Sequence, residues 1–148
     1  MKKVIFLSII ALFLSLSVQG QRTNIVVAIA KKSTQCGSTD IGYRMTYGTA
    51  SNYALGKKAK AAIKGSARGW ENIESKNNEE WGKYMGDFMT IITTTTTNSK
   101  GCRRFTYGVG FGKSHSSALQ NAKSHLKARN WSWKESRDGY RIDTKRRY

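Results

Sequence analysis

The chain has 148 residues, 26 of them Lys or Arg against nine Asp or Glu, with two cysteines, two histidines and no proline. That size leaves room for one domain with a real core once a leader is removed. Two cysteines and two histidines supply no metal-site spacing, and the positive excess predicts attraction to polyanions while saying nothing about fold.

Lys2 and Lys3 precede an apolar stretch, Val4 to Val18, broken only by serines, and Val18-Gln19-Gly20 offers a signal-peptidase site. This pattern predicts a secretory signal peptide over residues 1–20. The run is shorter than the ~20 apolar residues that a membrane span needs. The mature chain then begins near Gln21 or Arg22 and forms a single domain over residues 21–148. Two basic residues leave with the leader, so 24 basic residues face nine acidic ones, a balance of +15. The predicted location is the periplasm or the cell exterior, with no integral span after signal removal. In that oxidising setting Cys36 and Cys102 are expected to form a disulfide.

Ile25 to Ala30 is an apolar, β-branched stretch and reads as a buried strand. Arg44-Met45-Thr46-Tyr47-Gly48 follows as a second strand. Ser51 can cap a helix on which Leu55, Ala59, Ala62 and Ile63 share one face, while Lys57, Lys60 and Lys64 share the other. Residues 65–86 read as a polar linker with Trp70 and Trp81, and an irregular helix is expected over Glu71 to Lys83. Glu71, Glu74, Glu79 and Glu80 gather in this linker and read as solvated carboxylates.

The same phrase then returns. Phe88 to Thr97 pairs across the turn Asn98-Ser99-Lys100-Gly101 with Cys102 to Gly112. Arg104-Phe105-Thr106-Tyr107-Gly108 matches Arg44 to Gly48, and Ser114 opens a helix with an Ala118/Leu119/Ala122/Leu126 stripe. The expected fold is therefore α+β: an internally duplicated ββα unit (about 23–65 and 86–130), with an antiparallel sheet carrying both helices on one face. A short C-terminal hairpin is expected from Trp131–Lys134 and Tyr140–Asp143 around Arg137-Asp138-Gly139. The threonine run Thr93 to Thr97 reads as an exposed strand rather than an ice-ordering array.

The basic residues interleaved with aromatics carry the functional signal. Lys57, Lys60, Lys64, Arg103, Arg104, Lys123 and Lys127 are candidate contacts for phosphates or other anions, and Arg129 extends that surface. Trp131 and Trp133, with Tyr140, are candidate stacking residues. Gly112-Lys113-Ser114 ends like a phosphate loop, but that motif needs its first glycine where Tyr107 stands. Gly110, Gly112, Ser114, Ala118, Ala122 and Leu126 are spaced as in the last strand and helix of double-stranded RNA-binding domains, a resemblance over some twenty residues. His115-Ser116 replaces the lysine pair usual there, and no first helix precedes the sheet, so that function is not carried over.

The composite expectation is an exported, non-enzymatic module for anionic polymers: nucleic acid, lipopolysaccharide or acidic glycan. It requires no cofactor and no metal. A secreted hydrolase of nucleic acid or cell-wall polymer is the alternative, with His115 or His125 as general base. A protein-interaction module of the cell envelope is the third reading.

Overall fold

The computed structural model describes residues 22–148; the leader expected over residues 1–20 lies outside them. The elements in chain order are β1 (Asn24–Thr34), β2 (Gly37–Gly48), α1 (Asn52–Ser66), β3 (Asn72–Asn77), β4 (Glu79–Glu80), β5 (Lys83–Tyr84), β6 (Phe88–Thr97), β7 (Arg103–Gly112), α2 (His115–Arg129), α3 (Glu135–Asp138) and β8 (Arg141–Arg147). The class is α+β with antiparallel sheets.

The strands form two three-stranded sheets, ordered β2-β1-β3 and β7-β6-β8, with β4 and β5 as a separate small hairpin. In each large sheet the strand after the helix returns to the free side of the first strand. β3 pairs with β1 from Val26–Asn77 to Lys31–Asn72, and β8 pairs with β6 from Phe88–Arg147 to Thr93–Arg141.

β1 explains why two layers are not enough. It is apolar on both faces, so both faces must be covered. Ile25, Val27 and Ile29 pack on Met89, Ile91, Val109 and Phe111 of the other sheet. Ala28 and Ala30 on the reverse face pack under Ala59 and Ile63 of α1. In the second sheet Ile92 meets Ala122 and Leu126 of α2. The order of layers is α1, sheet, sheet, α2. The helices therefore lie on the outer faces of two sheets, not on one face of a single sheet as the repeat alone implied.

Three further local expectations are corrected. Residues 72–77 form an edge strand, not an irregular helix, because they pair with the free side of β1 and turn Ile73 onto the face that packs with Ala28, Ala30 and α1. Trp131–Lys134 is no hairpin strand: Trp133 turns inward, and the chain continues through α3 into β8, which pairs with β6 instead. In the threonine run, Thr94 and Thr96 are buried. Thr94 Oγ1 donates to Gly139 O at 2.9 Å, and Asn130 Nδ2 donates to Thr96 Oγ1 at 3.1 Å.

Both helix caps form as expected. Ser51 Oγ accepts from Ala54 N at 3.2 Å, and Ser114 and Ser117 form a reciprocal capping box. Ala62, expected on the apolar stripe of α1, is exposed. The glycines of β7 belong to packing. A Cβ on Gly110 would run into the Ala118 carbonyl, and one on Gly108 into that of Ala122. Their absence lets α2 lie directly on the strand.

The β4–β5 turn places Trp81 at φ +53° and Gly82 at φ +73°. Both signs suit a type I′ hairpin turn, which normally selects Asn-Gly. Trp81 is the one non-glycine residue with positive φ among the described residues, and it stands 98% exposed.

Candidate functional site

The two basic helices differ in what their lysines do. On α1, Lys57, Lys58, Lys60 and Lys64 are all exposed, and none enters an ion pair among the described residues. Lys57 Nζ lies 4.8 Å from the centre of the Tyr53 ring, itself 73% exposed, and Lys64 Nζ lies 5.2 Å from that of Trp70. Tyr53, Lys57 and Lys60 line a shallow cleft of about 230 Å³ whose far wall is Ser75 and Asn77 of β3. Glu79 approaches only its N-terminal rim, where its carboxylate accepts from Asn52 Nδ2 at 3.1 Å.

On α2 the lysines are engaged within the fold. Lys123 Nζ sits 2.7 Å from Glu135 Oε1 and over the Tyr140 ring. Lys127 Nζ donates to the carbonyls of Trp131 (2.6 Å) and Trp133 (2.8 Å). Trp133 is core, with its indole N–H on Gly139 O at 2.8 Å. The sequence pattern treats the two helices alike; the environment of each does not.

Arg103 is exposed at the start of β7. Arg104 points toward the other face and donates Nε to Ser38 O at 2.9 Å. It lines a cleft of about 350 Å³ with Trp131, Arg137, the Asn98–Ser99 turn and the half-cystines Cys36 and Cys102. Those cysteines are bonded, with Cα atoms 5.3 Å apart, inside the usual range of ~4.4–6.8 Å. Their bridge joins the tip of the β1–β2 hairpin to the tip of the β6–β7 hairpin.

A buried polar cluster seals the junction of the two sheets. β7 is an edge strand, and three of its outward N–H groups take side-chain partners in place of a neighbouring strand. Phe105 N donates to Thr39 Oγ1 at 2.9 Å, Tyr107 N to Asp40 Oδ2 at 2.7 Å and Val109 N to His125 Nδ1 at 2.9 Å. Arg129 then grips Asp40 with two prongs, Nη1 to Oδ2 at 2.6 Å and Nη2 to Oδ1 at 2.8 Å. Its Nη1 also donates to Tyr107 O at 2.6 Å. Glu74 of β3 completes the cluster, with Lys31, His125 and Arg129 around its carboxylate.

This geometry defines the histidines. His125 Nδ1 accepts a backbone N–H, so its proton sits on Nε2, 3.4 Å from Glu74 Oε1. Burial pushes its pKa down; the Glu74 bond opposes this, and the charges of Arg129 and Lys76 reinforce it. Glu74 is held well below the carboxylate range, first by the His125 hydrogen bond and then by Lys31 and Arg129, against the opposing effect of burial. His115 stacks edge-on against Phe88, with ring centres 4.7 Å apart, and lines no cleft with His125. The glutamates do not converge: Glu71 accepts from Ser33 N and Glu79 from Asn52. No group of three His, Cys, Asp or Glu side chains is arranged to hold a metal among the described residues.

The cluster has a pH signature. Both groups have lowered folded-state pKa values, so in both the unfolded chain binds the proton more readily. The His125 contribution is fully present above pH 6.5, its ordinary value, and is lost as pH falls below it; the Glu74 contribution is lost below pH 4.5. Stability should therefore fall on acidification in two limbs. Urea midpoints between pH 7 and pH 5 should flatten in His125→Gln, whose amide oxygen can still accept from Val109, and the limb below pH 4.5 should flatten in Glu74→Gln. Wild-type pH profiles in both variants would remove these residues as the cause.

No protein-family model, curated protein or solved structure matches the chain. Function therefore rests on these surfaces alone. The sequence reading does not single out Lys58, Ser75 and Asn77 beside α1, or Asp40 of the buried cluster; it takes Glu74 for a solvated carboxylate, Arg129 for part of the anion-binding surface and Arg137 for a turn residue, whereas Glu74 and Arg129 are ion-paired within the cluster and Arg137 lines the disulfide cleft. Lys58 was legible as one more lysine on the same helix, whereas the others depend on tertiary neighbours.

Proposed function

We propose that the protein is an exported binding module, not an enzyme, for anionic polymers of the nucleic acid, lipopolysaccharide or acidic glycan type. One observation carries this reading: four exposed lysines of α1 stand without carboxylate partners among the described residues, although six of the nine acids are ion-paired elsewhere. A face that served only solubility would have no reason to avoid the available acids. The exposed Tyr53 ring beside Lys57 adds a flat apolar surface to the charges. The disulfide supports an oxidising compartment, and no described helix is long and apolar enough to cross a membrane. The charged start and apolar run of residues 1–20 support export.

The test is a salt series on heparin and on duplex DNA. Lys57→Gln/Lys60→Gln/Lys64→Gln should bind more weakly and with a flatter dependence of log K on log salt, by ~0.9 for each phosphate of duplex DNA that is no longer neutralised. Its stability should stay within ~0.5 kcal/mol of wild type, since these side chains are exposed. Lys123→Gln/Lys127→Gln should instead lose stability with little change in slope, because its lysines hold Glu135 and the Trp131 and Trp133 carbonyls. An unchanged slope in the α1 variant would end the proposal.

A further inference from the structure

Trp131 is 82% exposed, yet the carbonyls of residues 131, 132 and 133 are all held by side-chain hydrogen bonds. Lys127 Nζ pins its carbonyl at 2.6 Å. The preceding Asn130 is buried, with its amide shared between Thr96 and Thr106. Arg137 Nη2 holds the Ser132 carbonyl at 2.8 Å. A loop that is merely mobile would not be anchored this way. The arrangement presents the indole to solvent from an anchored backbone, so little backbone freedom is lost when something settles on it.

The cleft beside the indole indicates what that would be. Its volume of about 350 Å³ falls at the small end of ligand sites. Arg104 supplies a guanidinium that has no carboxylate partner among the described residues; only its Nε is engaged, on Ser38 O. No carboxylate among the described residues lines the cleft, and its one carboxamide is already engaged. Asn98 Oδ1 takes the N–H groups of Lys100 and Cys102, and both Asp138 oxygens serve Arg137, with one also serving Lys134 N. A sugar ring brings several hydroxyl donors that would need acceptors. A phosphodiester brings acceptors only, and the base attached to it brings a π-face. We infer that the Trp131–Arg104 cleft is a stacking subsite for an unpaired base of single-stranded nucleic acid, with Arg104 on the adjoining phosphate.

This site is separate from the lysine face of α1 and makes a different demand. Duplex DNA buries its base faces in its own stack, so it can satisfy the lysines but not the indole. Trp131→Ala should bind a short oligothymidylate about 5- to 150-fold more weakly, the range expected when one base–aromatic stack is removed. Its affinity for duplex DNA and for heparin should be unchanged. Oligothymidylate should quench indole fluorescence in the wild type, and the part due to Trp131 should vanish in Trp131→Phe. Arg104→Gln should weaken oligothymidylate binding and reduce its salt slope. The α1 lysine variant should keep the Trp131 quenching at low salt, so failure of either site is seen independently of the other. Unchanged oligothymidylate binding in Trp131→Ala would overturn the assignment. Equal losses on all three polymers, or a loss on heparin alone, would overturn it as well, the latter in favour of an acidic glycan. Unaltered thermal unfolding of Trp131→Ala checks that the exposed side chain was not holding the fold.

Discussion

Replacing Asp40 by Ala should lower the unfolding free energy by about 3–5 kcal/mol, the usual effect of leaving a buried charge without its partner. Asp40 and Arg129 are only 4% and 7% exposed, so water cannot compensate either group. The loss would reach further than one ion pair. Asp40 also accepts the Tyr107 N–H, and Arg129 also donates to the Tyr107 carbonyl, so the edge of β7 loses one of its links to β2 at the same moment. Asp40→Asn should be milder, since the amide oxygen can still accept one of these bonds. Asp40→Ala/Arg129→Met should recover part of the loss, because no buried charge of the pair is then left alone, although the Tyr107 N–H and carbonyl still lose their partners. Urea denaturation of the single and double variants measures all three. A loss below ~1 kcal/mol in Asp40→Ala would mean that the cluster contributes little to joining the sheets.

That pair also shows where sequence reading stops. Asp40 and Arg129 are 89 positions apart, and nothing near either residue names the other. Glu74 was legible only as one of four glutamates in a polar stretch, although its environment is quite unlike that of Glu71 or Glu79. Local features were readable because their causes are local. Ser51 and Ser114 cap helices through bonds three residues away. Asn98 closes the β6–β7 turn through Lys100 N and Cys102 N. The layer order was partly legible too: Ile25 to Ala30 is apolar at every position, which a strand with one covered face does not need. Reading it as one sheet under two helices ignored that second face. The lysines of α2 looked like those of α1 because helical spacing encodes a face but not the Glu135 or the Trp131 carbonyl that meets it.

The second large effect is expected at the hairpin tips. Cys36→Ser/Cys102→Ser should lose about 4 kcal/mol, the chain-entropy contribution of a cross-link between residues 66 positions apart. The two-sheet core of Ile25, Val27, Ile29, Met89 and Phe111 does not touch the bridge, so the variant should still fold, and reduction of the wild type should give the same midpoint. The consequences for binding should divide. The lysine face of α1 is built by the packing of Leu55, Ala59 and Ile63, and its salt slope should survive reduction. The Trp131 cleft has Cys36 and Cys102 in its wall, and the Asn98 turn beside Cys102 should loosen without the link, so oligothymidylate quenching should weaken. Equal stability of the oxidised and reduced protein in urea would show that the unfolded chain gains no freedom from losing the bridge. Intact quenching after reduction would show that the Asn98 turn is held by its own hydrogen bonds, with Arg104 kept in place by Ser38 alone.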